Sequence, residues 1–341
     1  MRPVETGRYL VTGGAGFIGT NFVHECLRRH PQAQVTVLDK LTYAGNPRNL
    51  DPVRNDPRFR FVQGDIADAA IVEPLIAEGF DFVINFAAET HVDRSIGDPA
   101  SFVKTDVFGV YTLLEAVRKH PVSLFVQIST DEVYGEILDG AATEQSPLLP
   151  RNPYSASKAG GDRLAYSYWA TYDIPVAITR CSNNYGPYQY PEKLVPLFVT
   201  NALQGEKLPV YGSGKNTRDW IHALDHVNAI FHILAADGVE GEVWNIGAEN
   251  ERSVLEIGGE LLRLLGKTDA LLASVVDRPG HDRRYAVDSS KLRAKTGWKC
   301  EVPFEQGLAE TVRWYEENAD WWRPLKSGEF LDYYKRNYKF L

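Results

Sequence analysis

Arg8-Tyr-Leu-Val-Thr-Gly-Gly-Ala-Gly-Phe-Ile-Gly19 is the stretch whose reading decides the fold. The apolar run from Arg8 to Val11 reads as a strand and Asn21 to Arg29 carries a helical pattern, so the glycines at 13, 16 and 19 fall in the turn between them. The spacing G-x-x-G-x-x-G differs from the more common G-x-G-x-x-G but puts glycines where the same tasks arise. Gly13 permits the tight turn, Gly16 lets a pyrophosphate approach the backbone at the helix N-terminus, and Gly19 allows close helix–strand packing. The bland alternative is a glycine-rich turn that holds nothing. Against it stands the next strand, Gln34-Val-Thr-Val-Leu38, which ends at Asp39. A carboxylate there accepts hydrogen bonds from ribose hydroxyls and repels a 2′-phosphate, so NAD is expected rather than NADP, although Lys40 pulls slightly the other way.

Further strands follow the same rhythm. Phe59 to Val62 leads into Gly64-Asp65-Ile66, where Asp65 is placed either to meet an adenine amino group or to cap a helix. Phe80 to Phe86 ends in Ala87-Ala-Glu-Thr-His-Val-Asp-Arg-Ser95, whose small residues at 87 and 88 leave room for phosphates and a ribose; the plain reading of His91 is a surface loop histidine. Ser101 to Arg118 carries apolar residues at Val103, Val107, Val110, Leu114 and Val117, a helical stripe that most often faces its own core and would also suit a dimer contact. Strands alternating with helices up to about residue 186 predict an α/β fold of Rossmann type, a doubly wound parallel sheet with a smaller mixed α/β substrate domain. Residues 1–186 and 217–248 are assigned to the dinucleotide-binding domain, 187–216 and 249–341 to the smaller one.

Composition limits the partners. The 341 residues are 44% hydrophobic, enough for a sizeable core and roughly two domains. A net charge of −8 and a pI near 5.6 argue against nucleic acid or an anionic membrane as main partner. The sequence has neither a membrane-length apolar run nor a signal-like N-terminus, so a cytoplasmic protein is expected. Cys26, Cys181 and Cys300 are too scattered for a disulfide framework or a zinc site, and no metal is expected.

The chemistry concentrates in two later stretches. Leu124 to Ile128 reads as a buried parallel strand that delivers Ser129-Thr130-Asp131-Glu132-Val133-Tyr134-Gly135 to the sheet's carboxyl edge, where ligands of open α/β sheets bind. Alone, an Asp-Glu pair there is usually a helix start. Tyr154-Ser-Ala-Ser-Lys158 places a Tyr and a Lys on one face of a predicted helix from Pro153 to Tyr172. A second Tyr-x-x-x-Lys, Tyr211 to Lys215, lies among glycines and reads as loop. Glu136 to Asn152 is a Pro-rich, polar loop able to cover a site. Ile174 to Arg180 is another strand, bringing Cys181-Ser-Asn-Asn-Tyr-Gly-Pro187 to the same edge. Asp277-Arg-Pro-Gly-His-Asp-Arg-Arg-Tyr285 holds three arginines about a turn: either a diphosphate clamp or a solvated loop with internal ion pairs. Trp314 to Tyr338 reads as a helix and a packing segment.

Together these motifs resemble the dTDP-glucose 4,6-dehydratases of the extended short-chain dehydrogenase/reductase superfamily, over nearly the whole chain. The resemblance implies a tightly held NAD, dTDP-glucose as substrate and a homodimer. It implies cofactor contacts from Gly13, Gly16, Phe17, Ile18, Gly19, Asp39, Lys40, Leu41, Thr42, Gly45, Asp65, Ile66, Ala87, Ala88, Glu89, Thr105, Ser129, Tyr154, Lys158, Cys181 and Asn184. The nucleotide sugar would meet His91, Thr130, Asn183, Lys193, Leu194, Pro209, Tyr211, Arg218, Asp277, Arg278, His281 and Tyr338. One departure is Ser253-Val254, where relatives commonly carry Lys-Asn. In the implied mechanism Tyr154, its pKa lowered by Lys158 and the nicotinamide charge, takes the proton of the 4-hydroxyl; ionised Glu132 takes the C5 proton; protonated Asp131 donates to the departing 6-hydroxyl; Thr130 binds the sugar near its 4-oxygen. The rivals are a nucleotide-sugar 4-epimerase, which needs no carboxylate pair, a dehydratase for another nucleotide sugar, and an NAD-binding scaffold without turnover.

Overall fold

The structure, a computed structural model, describes residues 2–340. Its described strands run in chain order as β1 (Arg8–Thr12), β2 (Gln34–Asp39), β3 (Phe59–Gln63), β4 (Phe82–Asn85), β5 (Leu124–Thr130), β6 (Val176–Cys181), β7 (Asn183–Tyr185), β8 (Leu208–Tyr211), β9 (Thr217–His222), β10 (Val243–Ile246), β11 (Glu251–Ser253) and β12 (Leu272–Val275). Seven form one sheet in the order β10-β6-β5-β4-β1-β2-β3, every pair parallel. The order reverses between β1 and β4, and the carboxyl ends of those two strands open the crevice in which such sheets bind ligands. All seven residues of β5 are buried, as a central strand covered by helices on both faces requires.

The expected helix Pro153–Tyr172 forms with those bounds, started by Asn152, whose side chain and that of Ser155 cap it reciprocally. The stretch read as one regular helix with a single core-facing stripe does not. Helix Pro99–Val103 passes into a wide π turn, Lys104–Gly109, before Val110–Lys119 resumes the α form. A π turn shifts the side-chain register, so Val110, Leu114 and Val117 are buried whereas Val103 is 55% exposed.

A second hydrophobic cluster, separate from those flanking the large sheet, gathers Phe198, Trp220, Leu261, Trp322 and Tyr333 with other buried apolar side chains. Beside it lie the parallel pair β8–β12 and the three-stranded sheet β11-β9-β7. Leu292 and Trp298 pack instead into the core under the large sheet. Trp314 to Tyr338 falls in helices Phe304–Glu317, Ala319–Trp322 and Glu329–Asn337. Ser253, the first residue of the departure noted above, caps helix Val254–Leu264 in a capping box with Glu256.

Candidate active site

A cavity of about 270 Å³ runs along the carboxyl edge of the sheet, lined by the turn after β1, the ends of β2, β4, β5 and β6, and helix Pro153–Tyr172. Every predicted cofactor residue lines it except Leu41. Leu41 sits at φ +57°, packs against the main core and donates its backbone N–H to Asp39 Oδ1 at 2.8 Å.

The three glycines of the G-x-x-G-x-x-G spacing do three different things. Gly13 has φ +68°, and a Cβ there would lie 2.6 Å from Ala87 N. A Cβ on Gly19 would lie 2.4 Å from Gly13 O, so only glycine lets the helix sit this close to the turn. At Gly16 a Cβ would touch only Gly13 O, at 3.2 Å, because this side faces the cavity. Gly16 is also the N-cap of helix Phe17–Arg29 and offers no side-chain cap, so the first amides of that helix remain available to an anion. Asp39 Oδ2 accepts from Ala15 N at 2.9 Å, and burial pushes its carboxyl above the usual range. Asp65 does not cap the next helix; Asp68 does. Asp65 instead accepts from Ala67 N and pairs with Lys40 at 2.8 Å, and its carboxyl is held down against burial by those partners. A glycine-walled cavity, free helix-end amides and a carboxylate at the end of β2 are the donor set that NAD requires.

Thr130, Asp131 and Glu132 both start a helical turn and line the cavity. Asp131–Tyr134 is a single 3₁₀ turn whose N-cap is Thr130, with Oγ1 accepting from Glu132 N at 3.3 Å. Both carboxylates also line the cavity. Asp131 is 3% exposed; Thr130 Oγ1 donates to its Oδ1 at 3.2 Å, while Oδ2 finds no partner. Burial and then the neighbouring Glu132 charge push the Asp131 carboxyl well up, with Arg218 opposing. Glu132 accepts from Asn152 Nδ2 at 3.4 Å.

Tyr154 and Lys158 are both buried on the cavity wall. Lys158 Nζ donates to Ile128 O at 2.6 Å, and burial lowers its pKa, with Asp106 holding it up. Within the protein a hydrogen bond with Thr130 pulls Tyr154 down, but it is outweighed: burial, then Glu132, Cys181 and Asp106, push its phenol well up. The lowering expected from Lys158 thus does not prevail in the protein alone; the other source expected, the positive nicotinamide, would come with bound NAD.

Of the predicted substrate residues, Thr130, Asn183 and Lys193 line the cavity, and the rest lie outside its wall. Several of those meet around Asp93, a residue that sequence reasoning missed. Asp93 accepts from Arg278 at 2.8 Å, Tyr333 OH at 2.8 Å and Tyr211 OH at 3.0 Å. The Arg278 charge above all, then His91 and the hydrogen bonds from Arg278 and Tyr333, hold its carboxyl far below the usual range against burial. Tyr211 packs against Tyr338 and His281, and His281 pairs with Asp277 at 2.7 Å. His91 is no surface histidine: it is 6% exposed, touches Tyr333 and is pushed down to about 4 by burial. Lys193 Nζ donates to Thr90 O, Leu194 begins helix Leu194–Gln204, and Pro209 lies in β8. Arg218 stacks on Tyr285 and donates to Asp282 O.

The three arginines of the Asp277–Tyr285 stretch part company. Arg283 pairs with Glu136, and Arg284 with Glu251 and with the carbonyls of Ile137 and Gly140. They pin the Glu136–Asn152 loop, as internal ion pairs would. Only Arg278 belongs to the Asp93 cluster, with its Nε unpartnered. Sequence reasoning also missed Asp106. The π turn presses it against the Tyr154 helix, where it accepts from Ser157 Oγ at 2.6 Å and Glu89 N at 3.0 Å; burial pushes it up to about 6 and the neighbouring Glu89 up to about 7.

This fold and this constellation define a class, the Rossmann-type short-chain dehydrogenase/reductases, here with a carboxylate pair on the cavity wall beside the Tyr–Lys pair. A family model described as GDP-mannose 4,6 dehydratase matches residues 10–311. A dTDP-glucose 4,6-dehydratase of Streptomyces niveus is 52% identical, covering 94% of this chain and 96% of its own. That of Mycolicibacterium smegmatis is 49% identical, over 96% of this chain and 99% of its own. The crystal structure of DesIV, a dTDP-glucose 4,6-dehydratase from Streptomyces venezuelae solved with NAD bound, superposes with a TM-score of 0.91 at 51% identity over 94% of this chain and all of that one. A UDP-glucose 4-epimerase from Thermotoga maritima shares the scaffold at 28% identity, with a TM-score of 0.85 over 92% of this chain and 99% of its own. The chain belongs to the 4,6-dehydratase family and, within it, to the dTDP-glucose 4,6-dehydratases.

Proposed function

We propose that the chain is an NAD-dependent hydro-lyase that converts dTDP-glucose to dTDP-4-keto-6-deoxyglucose and water. The observation that carries this reading is the buried Asp131 carboxyl with an unpartnered oxygen beside Glu132, on the same cavity wall as Tyr154. A 4-epimerase has no use for such a pair. When bound, NAD supplies a hydride acceptor for C4 and, later, a hydride donor for C6. Tyr154, oriented on its helix beside Lys158, takes the proton of the 4-hydroxyl, and Thr130 steadies the sugar near that oxygen. The 4-ketone acidifies the C5 hydrogen, which Glu132 removes. Asp131 gives its proton to the 6-hydroxyl, which leaves as water, and Glu132 returns a proton to C5. The proton gained at Tyr154 balances the one Asp131 gives up. Two adjacent carboxylates divide these duties because ionising one disfavours ionising the other.

The cofactor and substrate contacts set out above belong to this reading, as does the division into a dinucleotide half (1–186, 217–248) and a sugar half (187–216, 249–341). So does a homodimer: Val103, Phe108, Tyr111 and Tyr166 are large apolar or aromatic side chains left 38–55% exposed on the helices around the π turn and on the Tyr154 helix. Three free cysteines fit work in the cytoplasm. Among the described residues no helix is long and apolar enough to cross a membrane.

The test is incubation of purified protein with dTDP-glucose in deuterated water without added NAD, with the sample's mass in solution read by light scattering. A 4-keto-6-deoxy sugar bearing deuterium at C5 from a two-chain particle is expected. Tyr154→Phe should lose about 10²-fold or more in kcat. Full activity in Tyr154→Phe, or an epimerised sugar with its 6-hydroxyl retained, would overturn the assignment.

A further inference from the structure

Two loops face each other across the cavity. One, after β2, contributes Thr42, Ala44 and Gly45 to its wall; the other, after β7, contributes Gln189, Tyr190, Glu192 and Lys193. Tyr43, in the first loop, meets Tyr190, in the second, edge to face with ring centroids 5.6 Å apart. Arg94 lies behind both. Its guanidinium sits 3.6 Å from the centroid of the Tyr43 ring, its Nε donates to Glu192 at 3.1 Å, and its NH1 reaches Glu329 on the C-terminal helix Glu329–Asn337. Tyr333, on that same helix, stands 5.2 Å away on a further side of the guanidinium.

The contacts are unusual in being mostly sheltered. The Glu192 side chain is 1% exposed and that of Arg94 18%, whereas Glu329 is 65% exposed. A carboxylate buried to that degree strongly disfavours loss of its partner, and a guanidinium flat on an aromatic ring gains more where water is excluded. Arg94 itself is absent from the cavity wall.

We propose that Arg94 is a latch: by holding Tyr43 and Glu192 together it keeps the two lips of the cavity closed, and so sets how slowly a bound dinucleotide leaves between turnovers. Arg94 is a positioning residue in this account and touches neither cofactor nor sugar. The inference rests on the NAD reading above. It places the control of cofactor retention in one helix, Val92–Gly97, whose residue 93 serves the sugar side and whose residue 94 serves the cofactor side.

The experiment loads purified protein with radiolabelled NAD, adds excess unlabelled NAD, and follows loss of label, alongside kcat at saturating added NAD. Arg94→Met keeps the side-chain stem and removes the charge. Its release rate is expected to rise about tenfold or more, equivalent to about 1.4 kcal/mol, with kcat at saturating NAD within about twofold of the unaltered protein. Release within about twofold of the unaltered protein, in a variant with an unchanged melting curve, would overturn the latch; so would a fall in kcat that added NAD does not restore. Should Arg94→Met fail to fold, Tyr43→Ala removes the same contact from the opposite lip, with the same outcomes. An unaltered protein that retains no label at all would sink the NAD reading itself, a result recognisably different from a variant that differs from it in rate.

Discussion

The turn at Gly13–Gly19 works through its backbone, whereas the stretch Asp277–Tyr285 works through its side chains. In the first, a positive φ at Gly13 and a 2.4 Å approach at Gly19 demand glycine for local reasons, while Gly16 opens onto the cavity. In the second, the fate of each arginine is set by a carboxylate far away in sequence: Asp93 for Arg278, Glu136 for Arg283 and Glu251 for Arg284. Local steric demands are absolute and repeat wherever the same turn is built. Ion pairs depend on the partner the fold brings near.

The largest effect expected from breaking this contrast is at Gly19. Gly19→Ala forces backbone against backbone, with a loss of about 1–3 kcal/mol of stability and of NAD binding together. Gly16→Ala should separate the two: at φ −82° and with one marginal contact, the chain keeps its melting temperature within a degree or so while NAD affinity falls about tenfold or more. Calorimetry and NAD titration on both variants check this. Equal loss of stability in both would mean that Gly16 is a packing glycine.

On the sugar side the effects should be smaller and unequal. Arg278→Met is expected to raise KM for dTDP-glucose about tenfold, the loss of a charge-assisted hydrogen bond, with little change in kcat. Arg283→Met, at a side chain 69% exposed and paired on the surface, should stay within about twofold. Steady-state kinetics on the two variants read this directly. Equal effects would restore the three-arginine clamp.

What could be read from the sequence follows the same division. Strand ends, the glycine turn, the Tyr154 helix and the position of Asp131-Glu132 depend on neighbours a few residues away, and their patterns survive in one dimension. Asp93 carries no such signal. Its role comes from Tyr211, Arg278 and Tyr333, each more than a hundred residues distant, and the only available hint was its place between His91 and Arg94 after a strand that ends at the ligand edge. The π turn at Lys104–Gly109 was hidden for a related reason. The apolar spacing of Val103 to Val117 suits an unbroken helix, and the turn is accommodated by contacts on another helix: a Cβ on Gly161 would lie 2.2 Å from Asp106 O, so the glycine there is what admits the close approach. Leu41 stands apart for a local reason: its neighbours Lys40 and Thr42 line the cavity, whereas its side chain packs on the core and its backbone amide is given to Asp39.

Asp131 is pushed up by Glu132 on its own turn and by Asp219 from β9, with Arg218 from the same strand opposing, and it offers the subtlest test. Its carboxyl is raised, so the folded chain holds a proton at this site that the unfolded chain releases above about pH 4. Stability contributed here is therefore present in acid and lost as pH climbs from that point toward the folded pKa. Asn is an uncharged near-isostere that needs no proton to stay neutral. Asp131→Asn should accordingly be more stable than the unaltered protein at neutral pH by about 1–3 kcal/mol, a few degrees in Tm, while losing the elimination step. The gain should shrink toward nothing as the pH is brought below about 4, where both states of the unaltered protein come to carry the proton. A gain that is independent of pH would place the benefit in packing. A loss of stability would mean that Arg218 holds Asp131 ionised, which would move the acid role in the elimination away from this residue.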